Sequence, residues 1–263
     1  MYSCCGYRNC SNTLKPYFLD GETDFFRCER CGIVQRYPMP SLAELDRIYA
    51  GLYRLSRIAD DATDQSSGER VLRRYGRYLM RHIVRPGDSV LDFGCGTGQL
   101  VRILNDQGID VLGVERSDAA RYFARRHHNL DLRATLDEVA DRSADVVTMI
   151  EVIEHLPDPF AMLDMIRRKI KPGGMIFLTT PNRNGLRARL EGGNWREAKK
   201  KFHVLLLDPG SLRRLLQTAG FARIRLIRFP LVQREGLASH VVARALQVAG
   251  VGGTVCATAE VDK

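Results

Sequence analysis

Ser89-Val-Leu-Asp-Phe-Gly-Cys-Gly-Thr-Gly98 is the stretch that decides the fold. A short apolar run carries an acid near its end, Asp92, and glycines follow at the alternate positions 94, 96 and 98. Glycine at that density permits a tight turn whose backbone approaches a ligand closely, so the pattern predicts a strand, a turn and the start of a helix. A lone glycine-rich turn is shared by several nucleotide-binding folds, and the dinucleotide version spaces its glycines G-x-G-x-x-G, which this stretch does not. One strand and one helix later, Val111-Leu-Gly-Val-Glu115 is a second apolar run ending in an acid. In an open parallel sheet ligands lie across the carboxyl ends of the strands, which places Glu115 to accept hydrogen bonds from a ribose diol.

Working outward, the same alternation continues. Strands are expected near 89–93, 111–114, 130–133, 145–150, 174–180, 222–229 and 253–260, and helices near 98–107, 118–127, 137–141, 158–170, 210–219 and 237–249. Strand-helix alternation implies an α/β fold with a parallel, doubly wound sheet covered on both faces. Upstream, Tyr37-Pro-Met-Pro-Ser41 breaks regular structure, and Ser41 is set to cap a helix carrying Leu42, Leu45, Ile48 and Tyr49. Residues 59–68 are polar and read as a loop. A second helix over about 68–84 places Val71, Leu72, Tyr75, Leu79 and Ile83 on one face, and Arg70, Arg73, Arg74, Arg77 and Arg81 largely on the others. That arginine face is either solvated or part of a lid for an anionic substrate.

With 263 residues, 44% hydrophobic and 27% charged, the chain has the balance of a globular protein with one sizeable core and a small appendage. A net charge of +9 favours anionic partners such as nucleic acid, acidic sugars or a membrane surface, or serves solubility alone. The start of the chain lacks a signal-peptide core, and 237–251, the most apolar late segment, is interrupted by His240 and Arg244. A cytoplasmic location is therefore expected. Five of the seven cysteines fall in the first 31 residues, and in a reducing compartment such clustering points to metal instead of disulfides. Cys28-Glu-Arg-Cys31-Gly is a C-x-x-C-G knuckle. With Cys5 and Cys10 it makes a four-thiolate set suited to a structural zinc, Cys4 being the rival of Cys5. So small a unit, poor in core, is expected to need its metal to fold. The expected organisation is a zinc-ribbon-like unit over 1–40, a helical lid or linker over 41–84 and the main domain over 85–263.

Asp145-Val-Val-Thr-Met-Ile150 runs straight into Glu151-Val-Ile-Glu-His-Leu-Pro-Asp-Pro159. Lys171-Pro-Gly-Gly174, Leu178-Thr-Thr-Pro-Asn182, Phe202-His203 and Thr218-Ala-Gly-Phe221 follow. In this order, and with Asp92 before the three glycines, the motifs resemble those of class I S-adenosylmethionine (SAM)-dependent methyltransferases. Within these they resemble the branch of the ubiquinone-biosynthesis O-methyltransferases and small-RNA 2′-O-methyltransferases. The knuckle followed by Pro-x-Pro resembles zinc-ribbon methyltransferases of sugar and natural-product pathways. The resemblance implies a Rossmann-like, seven-stranded sheet whose last strand enters antiparallel. It also implies SAM bound by Asp92, Gly94, Cys95, Gly96, Gly98, Glu115, Arg116, Leu136 and Ile150, with residues near Leu136 flanking the adenine.

Independently of any family, Glu151, Glu154 and His155 stand at i, i+3 and i+4, so a helical turn projects them from one face. Two carboxylates and an imidazole form a metal-ligand set, and the resemblance implies that role for E-x-x-E-H and adds His203 after the T-P-N segment. Such a set accepts Mg, though its nitrogen content suits Mn, Fe, Co or Zn. Without a metal, His155 or His203 has the intrinsic pKa of a general base. The basic stretch 183–201 holds the only tryptophan, Trp195, which either stacks a substrate ring or anchors the loop to the core. The expected activity is O-methylation of a small acceptor: a sugar or glycan unit, a natural product or a quinone-like ring. The alternatives are an RNA 2′-O-methyltransferase and a non-catalytic SAM-binding partner protein.

Overall fold

The computed structural model describes residues 14–52, 65–227 and 245–262. Cys4, Cys5 and Cys10 lie outside them, as do residues 59–64 of the polar segment and 237–244 of the expected late helix. In chain order the elements are β1 (Leu14–Phe18), β2 (Phe25–Cys28), β3 (Val34–Arg36), α1 (Leu42–Leu52), α2 (Gln65–His82), β4 (Ser89–Phe93), α3 (Gln99–Asn105), β5 (Asp110–Val114) and α4 (Asp118–His128). Then come β6 (Ala144–Ile150), α5 (Pro159–Lys169), β7 (Ile170–Pro181), α6 (Leu186–Glu191), α7 (Arg196–Lys199), β8 (Leu205–Leu206), α8 (Pro209–Thr218), β9 (Ala222–Leu226) and β10 (Thr254–Glu260).

The six-stranded sheet has the order β5-β4-β6-β7-β10-β9. Parallel pairing sets Leu91 of β4 beside Leu112 of β5 on one side and Val147 of β6 on the other. Chain order reverses across β4, so the sheet's switch point lies at the end of the strand that carries Asp92. Gly173 donates its amide to Val261 at one end of β7, and Asn182 donates to Gly253 at the other, so β10 runs antiparallel. Residues 130–133 were expected to add a strand, but they make a single bridge, Val114 to Arg133. Asn129 enters the segment in a left-handed conformation and a 3-10 turn begins at Leu136, which leaves Leu132 as the buried residue of too short a run for a ladder. Among the described residues the sheet thus has six strands.

The chain forms two compact units. The glycine-loop unit comprises residues 46–150, 165–177 and 260–263. Its strands β4 and β6 bury Val90, Leu91, Val146, Val147 and Met149, the continuous apolar reading of a strand covered on both faces. Helix α2 buries Tyr75 and Leu79, and the rings of Tyr75 and Tyr78 lie 6.2 and 5.9 Å from Phe177. A Cβ at Gly76 would come within 2.9 Å of Ile103, so a side chain there is incompatible with the approach of α2 to α3.

The hairpin unit comprises residues 1–45, 151–164 and 178–259. Its four-stranded antiparallel sheet has the order β1-β2-β3-β8, with Val34 opposite Leu206. The stretch 183–201 folds into α6, a 3-10 turn and α7 and packs on this sheet through Ala188, Trp195 and Ala198, which join Phe25, Val34 and Leu206 in one buried cluster. Trp195 is 5% exposed, so it anchors the stretch and offers no ring face to a substrate. Ser41 caps α1 in a reciprocal box with Glu44, whose carboxylate accepts the Ser41 amide at 2.7 Å.

Candidate active site

In the glycine-loop unit, Gly94, Gly96 and Gly98 all have positive φ, at 73°, 55° and 77°. This conformation excludes most side chains, which explains the triple glycine. At Gly98, a Cβ would also stand 2.7 Å from Leu130. Gly94 donates its amide to Val114 at 2.8 Å, and Gly96 donates to Glu115 Oε2 at 2.9 Å. Glu115 Oε1 accepts the Ser117 amide at 2.8 Å, so the buried carboxylate clamps both strand-end loops and keeps further lone pairs for a ribose diol. Asp92 is buried and accepts the Thr148 hydroxyl at 2.6 Å. Burial pushes its pKa up to about 6 against the lowering effect of that hydroxyl, and the Glu115 charge adds to the rise. Burial likewise holds the Cys95 thiol well above its usual range, as a protonated group. Arg116 pairs with Asp46, Leu136 is buried at the start of its 3-10 turn, and Ile150 closes β6.

In the hairpin unit, Glu154, His155 and His203 bring one ligand atom each to within 4.8 Å of one another. Glu154 is 1% exposed; its Oε2 accepts the Thr180 hydroxyl at 2.9 Å, and its Oε1 has no hydrogen-bond partner. That oxygen lies 3.6 Å from His155 Nε2. His203, 2% exposed, has an equally unpartnered Nδ1, 3.8 Å from Glu197 Oε2. Burial, then the neighbouring His155 and Lys200, push His203 down to about 2, so it is a neutral imidazole. His155 stacks on Phe202, with centroids 5.2 Å apart and planes 14° apart. Glu151 does not join the group. Helical geometry begins only at Ile153, and Glu151 has a left-handed φ of 54°, so the expected i, i+3, i+4 face forms without it. Its carboxylate accepts the Thr179 hydroxyl at 3.1 Å, and crowding by protein, then repulsion from Glu154, raise its pKa.

Residues 65–226 match the family model described as a methyltransferase domain. The chain belongs to that family. Among curated relatives, a ubiquinone biosynthesis O-methyltransferase of Idiomarina loihiensis is 33% identical over 153 residues, 52% of this chain and 63% of the relative. One from Pseudomonas aeruginosa is 38% identical over 107 residues, 37% of this chain and 46% of the relative. The chain thus spans under two thirds of the length of either. A methyltransferase solved with the Haloferax volcanii Trm112 activator shares the fold at a TM-score of 0.58 and 23% identity, over 78% of this chain and 95% of its own. The Burkholderia thailandensis 1,6-didemethyltoxoflavin N1-methyltransferase, solved with S-adenosylhomocysteine, does so at 0.57 and 17%, over 95% and 100%. The class I SAM-dependent methyltransferase fold is therefore established.

For a methyltransferase of this kind, several supporting residues escape the motifs. Thr148, Thr179 and Thr180 sit in apolar strand runs, where a hydroxyl signals a polar partner, but the partners are distant in sequence. Gly113 is required because a Cβ would meet Leu132 at 2.6 Å and Cys95 Sγ at 2.8 Å. At the knuckle, Cys28 and Cys31 are both buried, and Cys28 Sγ accepts the Cys31 amide at 3.4 Å. The other two expected thiolates, Cys5 and Cys10, are outside the described residues.

Proposed function

We propose that the protein is a SAM-dependent O-methyltransferase of a small hydroxylated acceptor, a sugar or glycan unit, a natural product or a quinone-like ring. The glycine-loop unit binds the donor through Asp92, Gly94, Gly96, Glu115 and their neighbours. Glu154, His155 and His203 serve the acceptor hydroxyl and would hold a divalent metal. The observation that carries this reading is the pair of buried, unpartnered atoms in one cluster, Glu154 Oε1 and His203 Nδ1. Leaving such atoms unsatisfied costs about 1–3 kcal/mol each, a cost that a bound cation or acceptor removes. A carboxylate with two imidazoles is a donor set for Mn, Fe, Co, Zn or Mg, and such an ion lowers the pKa of a bound hydroxyl and fixes its approach. Transfer to oxygen, as opposed to nitrogen or carbon, is supported by the curated relatives, which are named as O-methyltransferases.

The chain's own residues account for the rest. Thr180 fixes one Glu154 oxygen so that the other points at the imidazoles. The Phe202 ring holds the His155 plane. As the acceptor oxygen takes the methyl carbon, the S–CH3 bond breaks with its electron pair left on sulfur, and the hydroxyl proton passes to solvent, or, where no metal engages the imidazoles, to His155, the more accessible of the two. We also assign a structural zinc to Cys28 and Cys31 with Cys10 and Cys5, or Cys4 in place of Cys5, supported by the buried knuckle and its amide-to-sulfur contact. The test is methyl transfer to catechol-like and sugar diols with and without chelator. Activity is expected to vanish with chelator and return with Mn or Co, while SAM affinity changes little. Full turnover in metal-stripped protein would overturn the metal and leave His155 as a simple base.

A further inference from the structure

We propose that Arg36, on the N-terminal hairpin, is a positioning residue that holds His203 in the acceptor-side cluster; this rests on the reading of Glu154, His155 and His203 as that cluster. His203 Nδ1 is one of the two unpartnered atoms that the cluster offers to an ion or acceptor, and Glu197 Oε2 stands 3.8 Å from it, beyond hydrogen-bond distance. Histidines that ligate metals ordinarily have their second nitrogen held by a carboxylate or carbonyl. Here the Glu197 backbone faces the ring, and a further constraint comes through the main chain of residues 201–204. The Arg36 guanidinium donates from Nη1 to the Lys201 carbonyl at 2.6 Å. The Arg36 amide donates to the Val204 carbonyl at 2.8 Å. One residue thereby grips both ends of a four-residue segment whose middle members are Phe202 and His203.

The segment is tied to the cluster from its other side as well. Val204 donates its amide to the Glu154 carbonyl at 2.8 Å, and Phe202 stacks on His155. All three members of the cluster are thus linked to residues 201–204, and β3 holds that segment by continuing into the pairing of Val34 with Leu206. Arginine suits the position because its planar fork reaches a carbonyl with a fixed geometry that a lysine ammonium lacks. Arg36 is five residues beyond Cys31, so the state of the knuckle reaches the acceptor side along one short strand.

The experiment uses the full chain with Arg36→Ala and Arg36→Lys. Three quantities are read: affinity for Mn2+ alone by calorimetry, affinity for SAM, and carbethoxylation of His203 by diethyl pyrocarbonate, located by mass spectrometry. Removing an outer-shell partner typically costs about 10- to 100-fold in metal affinity, and that loss is expected for Arg36→Ala, with SAM affinity retained and His203 newly reactive. Arg36→Lys, which keeps one donor, is expected to recover part of both the Mn2+ affinity and the protection. Wild-type Mn2+ affinity and an unreactive His203 in Arg36→Ala overturn the proposal. Should the wild-type chain bind no Mn2+, the metal reading fails separately, and His203 reactivity decides: a rise in Arg36→Ala supports positioning, no rise overturns it. Loss of SAM binding in Arg36→Ala would mark general unfolding, and the same readouts on Arg36→Lys then decide.

Discussion

Asp92 is unfavourable for the fold at neutral pH, yet it stands at the strand end where the donor site is proposed. Its folded-state pKa of about 6 lies above the ordinary carboxylate value near 3.9, so the folded chain binds the proton more tightly than the unfolded chain does. The resulting stabilisation is full at low pH and is lost as pH rises from about 4 to about 6; above that range the buried charge costs about 3 kcal/mol. Asp92→Asn keeps an acceptor for Thr148 and removes the charge. It is expected to raise the thermal midpoint at pH 7.5, with the gain closing near pH 4, while SAM binding weakens. A lower midpoint at pH 7.5 would show that burial does not penalise this carboxylate. Glu115→Ala should weaken SAM binding by about 1.5–3 kcal/mol in calorimetry, the scale of hydrogen bonds to a charged group. Unchanged affinity would remove Glu115 from the ribose site. The three glycines and Glu115 were readable in the sequence because their demands are local, a backbone conformation and a strand end. Thr148 and Thr180 were not, since the oxygens they hold lie 56 and 26 positions away.

At the scale of elements, legibility followed how much apolar surface each one buries. The runs at 89–93 and 145–150 were unambiguous, being buried on both faces. Residues 130–133 bury one of their two leucines fully, Leu132, and make only a bridge. Strand β8 is two residues long inside Val204-Leu-Leu-Leu207, and its role comes from pairing with β3 far upstream, which no local pattern encodes. The same pairing decides the question of Trp195, for the ring is enclosed by Phe25, Val34 and Leu206. The only tryptophan therefore reports on the hairpin sheet without contribution from the glycine-loop unit. Cys28→Ser with Cys31→Ser is expected to lose one zinc per chain and red-shift Trp195 emission, with SAM affinity retained. Zinc kept by that double variant would place the metal elsewhere.

At the scale of the whole molecule, a charge of +9 does not by itself name a partner, and the surface arginines differ in what they are committed to. Glu69 takes up Arg73 at 2.6 Å and Arg102 at 3.0 Å. Arg70, Arg77 and Arg81, at i, i+7 and i+11, share one face of α2, and all three are exposed. No described helix is long and apolar enough to cross a membrane. A row of about three arginines binds single-stranded RNA weakly, with affinity falling roughly as the square of the salt concentration, since the slope is about 0.7 for each neutralised phosphate. Such binding carries no base or ribose specificity, because phosphate contacts position a strand without reading it. The expectation is that short RNA binds in low salt, that Arg70→Gln, Arg77→Gln and Arg81→Gln together abolish this binding, and that the triple variant still methylates a small hydroxylated acceptor at the wild-type rate. Filter binding across a salt series and transfer of labelled methyl groups measure the two sides. Incorporation of methyl at an RNA 2′-oxygen, lost in the triple variant, would instead make the arginine face part of the acceptor site and RNA the substrate.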